Sequence, residues 1–302
     1  MPAAPHLALV GPTASGKSGL ALEVARRLPG VEIVSVDSMQ VYRGMDVGTA
    51  KPTPAQRAEV PHHLVDLADP EEEFSVARFQ RAAREALAAI ERRGHRALLV
   101  GGTGLYVRAV VDGLDVPGEW PELRAELQAE ADPEVLHRRL AGLDPVAAAR
   151  TTPTNRRRIV RALEVTVGSG RPFSSFGPGL ALHPPSPFRM AGVWLPRQVV
   201  ARRIAERLAA MVEAGLPDEV RALALRPGGL SRTAGQALGY RELLDHQAGR
   251  CTMEEALDRA LGRTRAFARR QRMWFRRDPR ITWYGAADNP FAVLPALLGD
   301  WG

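Results

Sequence analysis

The sequence predicts an α/β fold, in which helices flank a parallel sheet and an all-helical domain is inserted into the chain that forms it. Three observations support this fold class. Short apolar runs stop at Gly or Asp, which is typical of buried parallel strands. Stretches with helical spacing of apolar residues separate these runs, and a Gly-rich loop lies between the first run and the first helical stretch. With 302 residues, of which 45% are apolar, the chain can bury the core of one or two domains.

Five apolar runs predict the strands. Three of them lie in the first third of the chain, at residues 6–10, 31–36 and 97–100. Two more, at 191–195 and 281–284, are expected to extend the same sheet. Because helical stretches alternate with the first three strands, right-handed crossovers should connect them in parallel.

Helices are predicted between the strands and throughout the second part of the chain. In the first part they span residues 18–28 and 75–93, and Ser75 is the expected N-cap of the second helix. The apolar face of that helix comprises Val76, Phe79, Ala83, Leu87 and Ile90. The later helices are predicted at 121–131, 133–143, 154–168, 197–215, 217–225, 233–247 and 252–277.

The change from strands to Arg-rich helices predicts two domains. We expect the α/β core at residues 1–113 and 186–302, and the helical insertion at 114–185. The Pro- and Gly-rich stretch 171–187 is the expected linker by which the chain returns to the core.

The net charge of +7 lies entirely in the second part of the chain. Residues 1–112 contain 13 basic and 13 acidic residues, whereas residues 113–302 contain 28 and 21. Such a local excess indicates a polyanionic partner, although solvated charged faces are the alternative explanation. The only lysines are Lys17 and Lys51, both in the neutral part. In a chain that otherwise uses arginine, a lysine indicates a site that needs a compact ammonium group.

Several classes of protein are excluded by composition. A single cysteine, Cys251, rules out a disulfide framework and a cysteine-based zinc site. No run of 18 apolar residues is present, and residues 1–10 have none of the features of a signal peptide. We therefore expect a cytoplasmic protein with no membrane contact.

The strongest motif is GPTASGKS at residues 11–18, which matches the pattern G-x-x-x-x-G-K-[ST]. It follows a predicted strand and precedes a predicted helix, as a P-loop does. Backbone amides of such a loop bind phosphate oxygens, Lys17 can reach the far phosphate, and Ser18 can ligate Mg²⁺. The motif predicts a P-loop NTPase-like sheet and a polyphosphate ligand, but leaves ATP, GTP and a pyrophosphate ester open.

Polar residues also follow the next two predicted strands. Asp37 comes after the second strand, where a carboxylate could coordinate Mg²⁺ through water or accept a proton, or could simply cap a helix. Thr103 follows two glycines at the end of the third strand. An NTPase would usually have a metal-binding carboxylate there, so a hydroxyl at this point indicates different chemistry.

Two Arg-rich segments in the second part suit nucleic acid. Residues 155–161 (NRRRIVR) begin a predicted helix, of which Ile159, Leu163 and Val167 should face inward and leave the guanidinium groups outside. Residues 263–280 hold eight arginines and one acid, interleaved with three aromatic residues. Arginine with aromatic residues favours phosphate contacts combined with base stacking.

Taken together, the motifs resemble those of bacterial tRNA dimethylallyltransferases, also called tRNA isopentenyltransferases. The resemblance runs from about residue 7 to residue 284 through GPTASGKS, DSMQVY, MDVGTAKP, LVGGTGLY, NRRRIVRALEV, QALGYRE and RTRAFARRQRMWFR. It implies transfer of a dimethylallyl group from dimethylallyl diphosphate to the exocyclic N6 amine of the adenosine 3′-adjacent to the anticodon, with Mg²⁺. That amine must leave the base stack to react.

The resemblance also implies roles for individual residues. Asp37 would accept the proton of the amine, and Thr103 would orient the amine or the bridging oxygen of the leaving group. Lys17 and an arginine would stabilise the departing diphosphate; Arg203 matches better than Arg207. Ser18 would hold Mg²⁺. The diphosphate-binding residues would be Gly11, Pro12, Thr13, Ala14, Ser15, Gly16, Lys17 and Ser18. The residues expected to bind the tRNA anticodon stem-loop are Asp37, Ser38, Met39, Gln40, Thr103, Arg124, Arg157, Arg158, Ile159, Val160, Arg161, Gln236, Gly239, Tyr240, Arg241, Arg269, Arg270, Gln271, Trp274 and Arg276.

Three other functions remain open from the residues alone. An adenylate dimethylallyltransferase would act on free AMP, ADP or ATP and would not need the Arg-rich helices. A small-molecule P-loop kinase would explain residues 11–18 and Asp37 but not the charge distribution. A non-catalytic RNA-binding module would explain only the arginines. We expect a monomer.

Overall fold

In a computed structural model, residues 5–177, 179–180 and 182–302 are described, and the chain divides into two compact units. The first unit comprises Met1–Val111 and Pro185–Gly302, and the second comprises Asp112–Pro184. These boundaries lie beside those expected at 113/114 and 185/186. The expected linker 171–187 contains positions 178 and 181, which lie outside the described residues.

The first unit contains a parallel sheet of six strands among its described residues. The order across the sheet is β3-β2-β4-β1-β5-β6. The strands are β1 (His6–Val10), β2 (Val31–Val36), β3 (His62–His63), β4 (Arg96–Gly101), β5 (Phe188–Trp194) and β6 (Ile281–Gly285). Every neighbouring pair is parallel, which confirms the predicted fold class. The two-residue β3 was not predicted, since so short a strand leaves no pattern of alternation.

Helices surround this sheet and make up the second unit. They are α1 (Lys17–Arg27), α2 (Pro54–Glu59), α3 (Val76–Arg92), α4 (Gly104–Val111), α5 (Pro121–Ala129), α6 (Pro133–Leu143), α7 (Pro145–Ala149), α8 (Arg156–Ser169), α9 (Arg197–Glu213), α10 (Leu216–Ala224), α11 (Tyr240–Gln247), α12 (Met253–Phe275) and α13 (Leu294–Trp301). The prediction of one helix over 233–247 is wrong. Gly239 has φ 87°, so a left-handed residue separates the 3₁₀ turn Ala234–Gln236 from α11.

Two apolar layers enclose the sheet. Alternate residues of β1 face opposite sides, so that Ala8 and Val10 join the layer of α3 and α4, whereas Leu7 and Leu9 join that of α1 and α13. The predicted face of α3 is confirmed, since Phe79, Ala83 and Ile90 are buried while Val76 and Leu87 pack against the same layer. Ser75 caps this helix by accepting a hydrogen bond from the Arg78 amide at 3.3 Å, as predicted.

The second unit has a core of its own. Leu136 and Leu140 of α6 pack there with Ile159 and Leu163 of α8. Val167 was predicted to face inward as well, but its side chain is 41% exposed, because the buried face of α8 turns toward Val165 and Thr166 at its end. None of the helices in the described residues of either unit is long and apolar enough to cross a membrane.

Candidate active site

The loop of residues 11–18 connects β1 to α1, so the amino end of α1 lies at the loop. Gly16 has φ 84° and stands at the N-cap position, where a Cβ atom would lie 2.4 Å from Pro290. Only glycine fits such a position without displacing its neighbour. The free amides and the dipole at the start of α1 favour a bound anion here.

Lys17 is the first residue of α1, and its ammonium group lies against the loop. Its Nζ donates a hydrogen bond to the Pro12 carbonyl at 3.2 Å. The pKa of Lys17 is lowered to about 8, mainly by burial; the carboxylate of Asp37 opposes this shift, and the nearby charge of Arg207 contributes to it. Charges act on a pKa in this way only when they are close, so Lys17, Asp37 and Arg207 belong to one site.

Other hydroxyl groups of the loop differ in their surroundings. Ser18 is exposed at the start of α1, as an oxygen ligand for a cation would need to be. The Ser15 hydroxyl is buried and has no hydrogen-bond partner within the described residues. No group of three or more His, Cys, Asp or Glu side chains in the described part of the chain could hold a metal ion by itself.

Asp37 and Thr103 follow two strands that lie side by side. Val36 of β2 pairs with Gly101 of β4, which brings the residues that follow them to the same edge of the sheet. Thr103 Oγ1 accepts a hydrogen bond from the Ser38 amide at 3.4 Å. Asp37 Oδ1 accepts one from the Met39 amide at 2.8 Å. The turn after β2 therefore holds both side chains in place.

Two adjoining cavities open at this edge of the sheet. The first, of about 320 Å³, is lined by Asp37, Thr103 and apolar side chains of α9 and the segment before α11. The second, of about 660 Å³, is lined by the loop of residues 11–18 and Arg203. Residues that line both cavities are Thr13, Asp37, Thr49, Arg207 and Phe267. Their volumes suit small-molecule ligands.

Both candidate arginines of α9 reach these cavities. Arg203 Nε donates to the Ala14 carbonyl at 2.9 Å and lines only the second cavity. Arg207 lies at the junction, with Nη2 at 3.5 Å from the Thr49 carbonyl oxygen. Burial lowers the pKa of Arg207, an effect that Asp37 opposes, so this guanidinium is poorly hydrated and available to an anion.

The residues after Asp37 form one wall of the first cavity. Ser38 and Met39 line it directly. Gln40 accepts a hydrogen bond from the Ser35 hydroxyl at 2.7 Å and donates to the carbonyls of Thr49 and Ala50. It therefore ties the end of β2 to the following loop, and it lines the second cavity.

That loop is held by two charged side chains. Lys51 is only 3% exposed and donates to the Tyr42 carbonyl and to Asp66, each at 2.7 Å, as well as to Asp46. Lys51 thus acts as the internal support of residues 42–66, a role that its sequence context did not reveal. Glu219 of α10 accepts hydrogen bonds from three successive amides, those of Asp46, Val47 and Gly48, at 2.7–3.1 Å.

Several residues predicted to contact RNA are buried. Ile159 and Val160 are 0% and 4% exposed, so their side chains belong to the core of the second unit and leave only the backbone for the predicted RNA contacts. Tyr240 is also fully buried: its hydroxyl donates to Glu219, and its ring lies where a Cβ on Gly48 would be. Gln271 is 7% exposed and is bound to the backbone on both sides.

The predicted arginines have varied surroundings. In the second unit, Arg124 and Arg161 both donate to Glu164, a carboxylate with no exposed surface, at 2.9 Å. These two cations therefore support the fold of the unit. Trp274 is half-buried against Gly104, and Gly239 is buried. The predicted residues with exposed side chains are Arg157, Arg158, Gln236, Arg241, Arg269, Arg270 and Arg276.

Four residues of the site were not recognised in these roles from the sequence. Thr49 and Phe267 lie at the junction of the cavities, Glu219 binds the loop amides, and Gln271 joins two distant segments. The motif around Thr49 marked a functional loop, but its partners lie far away in the chain and only the fold brings them together.

Comparison with known proteins identifies close relatives. The family described as IPP transferase matches residues 40–278, and that described as isopentenyl transferase matches residues 6–62. A tRNA dimethylallyltransferase of Streptomyces coelicolor is 50% identical over 301 residues, which cover 98% of this chain and 95% of the relative. A similar protein of the same name from Kineococcus radiotolerans is 50% identical over 297 residues, or 95% of this chain and 93% of the relative.

Solved structures have the same fold. The tRNA isopentenylpyrophosphate transferase of Bacillus halodurans superposes with a TM-score of 0.70 at 39% identity, covering 98% of this chain and 96% of that one. A eukaryotic dimethylallyltransferase acting on tRNA gives a TM-score of 0.78, covering 99% of this chain and 80% of that one. At 23% identity, the second comparison concerns the fold alone.

Proposed function

The chain belongs to the IPP transferase family and is a tRNA dimethylallyltransferase, and from this premise we propose how its residues perform the transfer. The donor is dimethylallyl diphosphate, and the acceptor is the N6 amine of the adenosine 3′-adjacent to the anticodon. The observation that carries the proposal is that two cavities meet at Asp37, Thr13 and Arg207. One cavity suits an anion, and the other offers both apolar and polar groups to a base.

The diphosphate occupies the second cavity. Amides of residues 11–18, the ammonium group of Lys17 and the guanidinium of Arg203 surround it with donors and positive charge. The dimethylallyl carbon then lies toward the junction, where Arg207 is close to the bridging oxygen. Arg203 is the arginine expected from the sequence; Arg207 adds a second cation on the side of the acceptor.

The adenine occupies the first cavity after it leaves the anticodon stack. Apolar side chains such as Met39, Leu208 and Phe267 can cover its faces, while Thr103 and Asp37 meet its polar edge. A stacked adenine could not align its amine with the allylic carbon, so extrusion of the base is part of the reaction.

In the transfer step, the adenine N6 attacks C1 of the dimethylallyl group. A C–N bond forms, the bond between C1 and the bridging oxygen breaks, and the electron pair leaves with the diphosphate. Asp37 accepts the proton that N6 loses. The charge that develops on the diphosphate is stabilised by the loop amides and by Lys17, Arg203 and Arg207. This stabilisation of the leaving group makes the largest contribution to lowering the activation barrier.

A magnesium ion fits the donors of this site. The exposed Ser18 hydroxyl would provide an oxygen ligand beside the loop, and the diphosphate would supply others. Bound there, Mg²⁺ would neutralise charge on the leaving group.

The exposed arginines bind the anticodon stem-loop of the tRNA. Arg269, Arg270 and Arg276 project from α12 and the residue after it, while Arg157 and Arg158 begin α8 in the second unit. Guanidinium groups without a carboxylate partner are suited to phosphate contacts. We propose that the enzyme acts as a cytoplasmic monomer.

The direct test compares acceptors. Purified protein is incubated with labelled dimethylallyl diphosphate, Mg²⁺ and either unmodified tRNA or AMP. We expect label on the tRNA, on the N6 of the adenosine 3′-adjacent to the anticodon, and none on AMP. Label on AMP would identify an adenylate dimethylallyltransferase, and label on neither acceptor would exclude the proposed reaction.

A further inference from the structure

The side chain of Gln271 joins two segments of the site that lie far apart in the chain. Its Oε1 accepts a hydrogen bond from the Thr13 amide at 2.8 Å. Its Nε2 donates to the Gly102 carbonyl at 2.8 Å. One buried amide on α12 therefore connects the loop of residues 11–18 with the end of β4, and it uses both its donor and its acceptor.

The amide lies close to the backbone at Gly102. A Cβ atom on Gly102 would lie 2.3 Å from Gln271 Nε2, so the glycine lets the amide approach the backbone closely. The side chain is 7% exposed, which makes a lost hydrogen bond costly because water cannot easily replace it.

The two segments that Gln271 joins belong to the binding sites of different substrates. Thr13 lines both cavities and belongs to the loop that holds the diphosphate, whereas Gly102 directly precedes Thr103 in the acceptor cavity. The distance between donor and acceptor therefore depends on this bridge. A misplacement of the reacting groups by about 1 Å can reduce a rate about a hundredfold.

We propose that Gln271 is a positioning residue, which sets the separation between the diphosphate loop and Thr103 and makes no contact with RNA. The inference rests on the proposed placement of the two substrates. It reassigns a residue that the family resemblance had placed among those that bind tRNA: Arg269 and Arg270 on the same helix are exposed, whereas Gln271 is buried and lines the second cavity.

The test uses Gln271→Met, which keeps the length of the side chain and removes both hydrogen bonds. We expect kcat/KM for dimethylallyl diphosphate to fall about tenfold or more. Binding of inorganic diphosphate, measured by calorimetry without turnover, should also weaken. The affinity for tRNA and its dependence on salt should stay as in the parent protein. Glu85→Gln, an exposed substitution on α3 that lines neither cavity, is the control and should change none of these values.

A double-mutant cycle separates positioning from a general loss of structure. If Gln271 acts by placing Thr103, then adding Gln271→Met to Thr103→Ala should lower kcat by much less than it does in the parent protein. Strictly multiplicative effects on kcat would overturn the proposal. So would a loss of tRNA affinity with unchanged diphosphate binding, because that result assigns Gln271 to the RNA.

Gln271→Glu keeps the inference testable if the methionine variant does not fold. The carboxylate can still accept from the Thr13 amide but cannot donate to the Gly102 carbonyl, and it repels an anion. Diphosphate binding should weaken while tRNA binding stays unchanged; parent-like diphosphate binding would contradict the proposal. Failure of the parent enzyme to modify tRNA would instead refute the proposed function, and the binding measurement would still report on Gln271.

Discussion

Two cationic residues that line the second cavity illustrate how burial serves this reaction. Lys17 and Arg207 are both poorly solvated, and burial lowers the pKa of each, while Asp37 opposes the shift. A cation that has already lost part of its hydration loses little more when an anion binds. The arrangement therefore favours diphosphate, whose charge both cations can meet.

The lowered pKa of Lys17 predicts how diphosphate binding depends on pH. Lys17 is charged below a pH of about 8 and becomes neutral above it, so binding of inorganic diphosphate should weaken as pH rises through this value. Calorimetric titrations between about pH 6.5 and 9.5 measure the effect. Because diphosphate itself titrates in this range, Lys17→Met is the control; identical pH profiles for the two proteins would contradict the assignment.

At the scale of elements, a buried ion cluster lies at the amino ends of the strands, opposite the active site. Glu32 at the start of β2 is 2% exposed and accepts hydrogen bonds from Arg93, His63 and His95 at 2.6–2.9 Å. It thereby connects β2 with β3 and with the end of α3. Burial alone would raise the pKa of Glu32, but the three partners outweigh it and hold the pKa at about 2.

This cluster predicts a dependence of stability on pH. Since the carboxylate is favoured in the folded state, its contribution is complete above the usual value of 4.5 and disappears as pH falls through about 2. Urea unfolding at a series of pH values should therefore show that Glu32→Gln lowers the free energy of unfolding by about 3 kcal/mol at neutral pH, with the difference vanishing in acid. Glu85→Gln, an exposed control, should have no such effect; a constant difference between Glu32→Gln and the parent protein across the pH range would rule out the linkage.

Helix α12 carries the clearest RNA surface of the first unit. Replacing Arg269 and Arg270 together with alanine should weaken tRNA binding and flatten its salt dependence by roughly 1.5 in the slope of log K against log salt concentration. Filter binding at several salt concentrations measures both changes. The matched control replaces Arg81 and Arg84, two exposed arginines of α3, and removes the same charge. Equal slopes for the two double variants would mean that Arg269 and Arg270 make no phosphate contact.

For the whole molecule, the sequence predicts the local parts of the site well and the long-range parts poorly. The loop of residues 11–18 and the residues after β2 and β4 were identifiable because a strand end and its next few residues form one local unit. The parallel sheet followed from the apolar runs. The roles of Lys51, Glu219 and Gln271 could not be predicted, since each binds partners that are distant in the chain or depend on a loop conformation.

Burial within the Arg-rich segments was equally hidden from the sequence. Arg161 looked like an outward-facing cation, yet it binds the buried Glu164 together with Arg124. The same segment also contains two apolar residues that form the core of the second unit. The excess positive charge of residues 113–302 is thus divided between internal ion pairs and exposed groups, and only the exposed groups can meet RNA.

The proton transfer at the junction of the cavities is the central claim, and Asp37→Asn tests it most directly. The substitution keeps the size of the side chain and removes its ability to accept a proton, so the single-turnover rate of dimethylallyl transfer to tRNA should fall by about a hundredfold or more. The affinity for tRNA should stay unchanged, and that for diphosphate should not decrease, since the variant retains every phosphate contact. A rate equal to that of the parent protein, or a loss fully explained by weaker binding of either substrate, would contradict the account.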